Sequence, residues 1–101
     1  MEKKYLWQLN ARYYSIIKFE VKENETSYIF EDEEGRENFL SKKYFKNDIF
    51  HNKYNDIYYG FNRIKMLKTA INDRKQSKEG KDISILEKIL RKLQTPFLEL
   101  N

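Results

Sequence analysis

The sequence predicts an α+β fold: an N-terminal antiparallel β-meander or small open barrel of four to five strands, followed by two α-helices. Three observations predict it. Up to about residue 50, apolar residues alternate with charged ones at period two, the signature of half-buried strands. Beyond that the apolar steps lengthen to three or four, the spacing of one helix face. At 101 residues the chain has the length of one domain, read here as a single domain 1–101 with a β part at 1–50 and a helical part at 52–101.

Tyr5, Trp7 and Leu9 alternate with Lys4, Gln8 and Asn10 and predict a first strand with one packed face, although Leu6 breaks the alternation. Asn10-Ala11-Arg12 reads as a turn. Between Tyr13 and Lys22, Ile17, Phe19 and Val21 point one way and Lys18, Glu20 and Lys22 the other. Asn24-Glu25-Thr26 turns the chain into a third strand, Ser27 to Glu31, with Tyr28 and Phe30 on one face. Asp32-Glu33-Glu34-Gly35 suits a tight hairpin loop because glycine supplies positive φ. Arg36 to Leu40 returns as a fourth strand, and Ile49-Phe50 suggests a short fifth. Ile57, Phe61, Ile64, Leu67 and Ile71 then predict an amphipathic helix over 53–75, capped by Asn52 or Asn55, with Gly60 inside it. Ser77 and Gly80 mark a linker. A second helix begins at Asp82 or Ser84, where Ser84 and Glu87 have capping-box spacing, and runs to about Gln94 on a stripe of Ile85 or Leu86, Ile89, Leu90 and Leu93. Pro96 stops it, leaving Phe97-Leu98-Glu99-Leu100 as an apolar tail expected to dock or to contact a partner.

Composition narrows the function. With no Cys there is no disulfide framework, thiolate metal site or Cys nucleophile, and the expected compartment is the cytoplasm. No signal peptide or membrane-spanning run is visible, so no membrane partner is expected. The single His, His51, cannot by itself make a usual zinc site, and as a general base it would need an orienting partner and a nucleophile. The serines lie in no nucleophile-elbow context, and the three glycines are too far apart for a phosphate loop. The expectation is therefore no enzyme, no metal and no cofactor.

Three features remain as candidates. Glu31, Asp32, Glu33 and Glu34, with Glu37 behind them, concentrate negative charge on a hairpin, either as a solvated tip or as a contact for a basic partner surface. Arg63, Lys65, Lys68, Arg74 and Lys75 place positive charge on the predicted helix 53–75, either as a wet face or as a nucleic-acid contact. The charge is divided accordingly, with net −1 over residues 1–50 and net +5 over residues 51–101. Tyr13-Tyr14 and Tyr58-Tyr59 are adjacent pairs, so one ring of each pair must point away from the other and is available as an aromatic hot spot.

The run Asp48-Ile49-Phe50-His51-Asn52-Lys53, after short strands and before a helix, resembles small accessory proteins of phages and mobile elements in AT-rich Gram-positive bacteria, over residues 4–75. The resemblance implies a small β-barrel with a helix entered through an Ile-Phe step. It also implies, for some such proteins, inhibition of a host defence enzyme by binding it, as anti-CRISPR proteins do. No functional residue carries over. The expected function is a non-catalytic protein that binds and blocks a macromolecular partner, such as a nucleic-acid-handling or defence enzyme. The alternative is a nucleic-acid-binding regulator using the basic helix.

Overall fold

The computed structural model describes residues 3–94. Strands β1 (Lys4–Asn10), β2 (Ser15–Glu23), β3 (Ser27–Glu31), β4 (Glu37–Ser41), β5 (Ile49–Asn52) and β6 (Ile57–Gly60) form one antiparallel sheet, curled into a half-barrel, in the order β4-β3-β2-β1-β6-β5. Helices α1 (Arg63–Gln76) and α2 (Ser84–Gln94) follow. The α+β class and the helix pair are as expected; the sheet has six strands rather than four or five. Among the described residues no helix is long and apolar enough to cross a membrane. Pro96 and the apolar tail 97–100 lie outside the described residues.

The hairpin turns share one local device. Asn10, Asn24, Asp32 and Asn52 each turn a side-chain oxygen back onto backbone N–H groups two to four residues ahead, which pins the bend. After β4, a short 3-10 turn (Lys42–Tyr44) carries the chain back to β5 and β6, which join the free side of β1. β1 therefore becomes a central strand, with a fully buried residue on each face. Leu6 packs on the inner face and Leu9 on the outer, each 0% exposed. That explains the apparent break at Leu6.

The inner face is aromatic. Phe30 on β3 lies 6.1 Å from Tyr59 on β6, although two strands separate β3 from β6. Such contact requires the sheet to curl around these rings. Phe45, from the returning segment, packs against Phe50, Tyr28 and Phe61 and closes this side. On the outer face, Leu9, Ile49 and Tyr58 meet Met66, Leu67, Ala70 and Ile71 of α1 and Leu86 of α2. Each fully buried Leu or Met here contributes about 1.5–3 kcal/mol.

The predicted helix over 53–75 is corrected. Residues 53–56 turn, 57–60 are strand β6, and α1 starts only at Arg63, with Asn62 as its N-cap accepting from the Lys65 N–H at 3.0 Å. The β part thus extends past residue 50, and Gly60 sits in a strand. Ile57, Tyr59 and Phe61 share the inner face while Tyr58 faces outward, which is period two. The step of four from Ile57 to Phe61 satisfies both periods, and β-branched and aromatic residues favour the strand.

Tyr58 and Tyr59 impose a pH dependence. Burial raises both phenols above their ordinary 10.0; the bond to Asp73 raises Tyr58 further, while the one to Gln8 partly offsets the shift at Tyr59. Because the fold favours the protonated phenols, their stabilisation is complete below pH 10 and is lost as pH rises beyond it, where the unfolded chain ionises first. Each phenol should cost up to about 1.4 kcal/mol per pH unit in that range. Urea midpoints should fall between pH 9 and pH 11, and an ultraviolet titration should show a class of tyrosines ionising only on unfolding. Ionisation of all eight in a single early step would contradict this.

Candidate partner-binding site

The acidic hairpin separates into two kinds of carboxylate. Asp32 belongs to the turn. Its Oδ1 accepts the N–H groups of Glu34 and Arg36, both at 2.9 Å, and its Oδ2 accepts from Asn38 Nδ2 at 3.1 Å. Gly35, at φ 79°, donates its N–H to the Asp32 carbonyl at 3.0 Å. The Arg36 N–H, the Asn38 amide and the further hydrogen bonds hold the Asp32 carboxyl below the usual aspartate range. Glu34 is paired with the Arg36 guanidinium at 2.8 Å. Two of the four consecutive acids are thus neutralised within the hairpin.

Glu31, Glu33 and Glu37 differ. Among the described residues no cation pairs with them. Glu31 and Glu37 lie directly opposite each other across β3 and β4, both exposed. Like charges placed so destabilise a sheet. Two places along the same face, Ile29 lies opposite Phe39, which is 60% exposed. The helices pack on β1 and β6, so this face of the β3–β4 hairpin stays open, and β4 is an edge strand with unpaired backbone groups. The site is therefore two uncompensated carboxylates beside an exposed ring. Ile29 and Phe39 went unnoticed in the sequence. The signal was available: the loop length around Gly35 sets the register that pairs them.

The chain matches no family model, no curated protein and no solved structure.

The other candidates are redistributed by the fold. Lys65, Lys68 and Lys75 are exposed on α1. Lys68 and Lys75 line a groove of about 560 Å³ between the helices, with Asn72, Glu87 and Arg91 around it. Arg63 sets its guanidinium 4.9 Å from the Trp7 ring centroid. Arg74 is withdrawn from any partner. Its side chain is 10% exposed and donates to the carbonyls of Ala11 at 2.6 Å and Asp82 at 2.8 Å, and to Tyr14 Oη at 3.3 Å. It also lies 3.6 Å from Asp56 Oδ2.

Of the tyrosine candidates, Tyr13 is exposed at 78%. The other three serve internally. Tyr14, held at φ 61°, receives the Arg74 bond. Tyr58 is 2% exposed and donates to Asp73 Oδ2 at 2.7 Å. Tyr59 accepts from Gln8 Nε2 at 3.3 Å on the inner face. His51 stacks on Tyr58 with centroids 3.8 Å apart, and its Nε2 lies 2.8 Å from Asp56 Oδ1. Together Tyr14, His51, Asp56, Tyr58, Asp73 and Arg74 line a cleft of about 850 Å³, tying the β1–β2 and β5–β6 turns to the end of α1. Its polar groups satisfy one another, so the arrangement is a brace. Among the described residues no group of three or more His, Asp or Glu could hold a metal ion.

Proposed function

We propose that this protein is a non-catalytic binding protein that blocks a macromolecular partner through the open face of its β3–β4 hairpin. One observation carries this: the facing pair Glu31–Glu37 beside the exposed Phe39. Neither feature helps the free protein. Opposed carboxylates repel, and an exposed ring on an edge strand invites unwanted pairing. A partner offering a cationic group next to an apolar recess relieves both, with the ring as anchor and the charges speeding association. A nucleic-acid-handling or defence enzyme presents such basic surfaces, in keeping with the resemblance to phage accessory proteins.

The reading makes stability and binding move in opposite directions. Glu31→Lys creates a cross-strand ion pair with Glu37 and should stabilise the free protein by about 0.5 kcal/mol, raising its thermal midpoint by roughly 2–4 °C. The same change should weaken partner capture by a photo-crosslinker placed at position 39. Capture that survives Glu31→Lys unchanged would remove the carboxylates from the function.

A second reading, nucleic-acid binding by the helical layer, has its own support. Residues 63–94 carry ten Lys and Arg against four Asp and Glu, net +6, with Lys65, Lys68 and Lys75 facing solvent.

A further inference from the structure

We propose that the outer face of β1 and β2 binds single-stranded nucleic acid, stacking bases on Tyr5 and Trp7 and holding phosphates with Lys18 and Arg63. The site adjoins the hairpin across the Lys22–Ile29 pair but is argued from other residues and does not rest on that reading.

Tyr5 and Trp7 occupy alternate positions of β1 and so share its outer face, about 7 Å apart along the strand. Lys18 faces Trp7 across the β1–β2 ladder. Its ammonium lies 4.7 Å from the Tyr5 ring centroid and 5.6 Å from that of Trp7. Arg63, the first residue of α1, sets its guanidinium 4.9 Å from the Trp7 centroid. The row thus reads ring, cation, ring, cation. Lys22 continues the positive charge along the same face of β2. Glu20 faces Tyr5 and lies 4.0 Å from the Lys3 ammonium. Tyr5 is 40% exposed.

An alternation of flat apolar surface and positive charge matches a ligand that alternates planar bases with phosphates. A duplex offers its phosphates but keeps its base faces stacked, so it uses only half of the row. A second copy of the chain would set Lys18, Lys22 and Arg63 against themselves. A base stacking on Tyr5 takes the place of the Lys18 ammonium over that ring, and the displaced cation stays within reach of the adjoining phosphate, while the Arg63 plane over Trp7 extends the stack.

Trp7 is the only tryptophan in the chain, so its fluorescence reports on this site. A short oligothymidylate should quench Trp7 emission at low salt. The logarithm of the affinity should fall with that of salt concentration at about −0.7 per phosphate contact, near −1.4 for two contacts. Lys18→Gln with Arg63→Gln, which keeps the side-chain stems, should weaken binding about tenfold or more while circular dichroism stays unchanged. Lys68→Glu with Lys75→Glu should leave the quenching as it was. Absence of quenching at micromolar protein and low salt would overturn the proposal. So would equal quenching by polyglutamate, which indicates charge alone, or a preference for duplex that the Lys68/Lys75 pair abolishes, which moves binding to the helices.

Discussion

Arg74→Ala should destabilise the protein by about 3 kcal/mol, the cost of stripping the partner from buried polar groups, and lower the thermal midpoint by roughly 12–24 °C. Arg74 serves the turn at Ala11, the start of α2 at Asp82, the strained Tyr14 and the Asp56 carboxylate. No neighbour replaces it: His51 already engages the other Asp56 oxygen. Arg74→Lys should recover less than half of the stability, because one ammonium cannot span acceptors that the planar guanidinium reaches together. Urea and thermal unfolding followed by circular dichroism measure both variants. A midpoint change under about 4 °C, equivalent to no more than about 1 kcal/mol, would show that the brace is ornamental.

Leu86→Ala should have a similar cost, about 3 kcal/mol, and a different signature. Leu86 is the only fully buried residue of α2. Ile83, Ile89, Leu90 and Leu93 pack around it but stay partly exposed. An isolated helix of 11 residues is marginal in water, so α2 depends on that anchor. The variant should therefore lose helical ellipticity below the global transition, and the amides of α2 should exchange faster than those of α1. Uniform protection across both helices would mean that α2 is held by its partly exposed residues instead.

How much of this was legible in the sequence follows from how local each signal is. The β1–β2–β3–β4 meander was, because its turns are closed by Asn and Asp within a few residues and its inner-face residues alternate. The second helix was, with its opening read at Asp82 or Ser84: it starts at Ser84, and the Asp82 carboxylate accepts from the Ser84 N–H at 2.9 Å and from its hydroxyl at the same distance. Strand β5 was, from Ile49-Phe50, but β6 was not, because the spacing of Ile57, Phe61 and Ile64 fits a helix as well as it fits a strand leading into one. Pairing with β1, some fifty residues earlier, settles the choice.

The candidate site divides in the same way. The sequence by itself determined where negative charge collects and where positive charge collects, since those are matters of composition along the chain. It also determined that a turn falls at Asp32–Gly35. Only the tertiary structure decided which of those charges are free. Asp32, Glu34 and Arg74 look like Glu31, Glu37 and Lys68 in one dimension, yet Asp32 and Glu34 are taken up by the geometry of their own hairpin and Arg74 by acceptors some sixty residues earlier. Only the structure, too, sent Tyr14, Tyr58 and Tyr59 inward and left Phe39 and Tyr5 exposed. Burial is set by which layer covers a face: the helices pack over Leu9 of β1, Tyr58 of β6 and Ile49 of β5, while Phe39 on the edge strand β4 and Tyr5 near the start of β1 stay exposed.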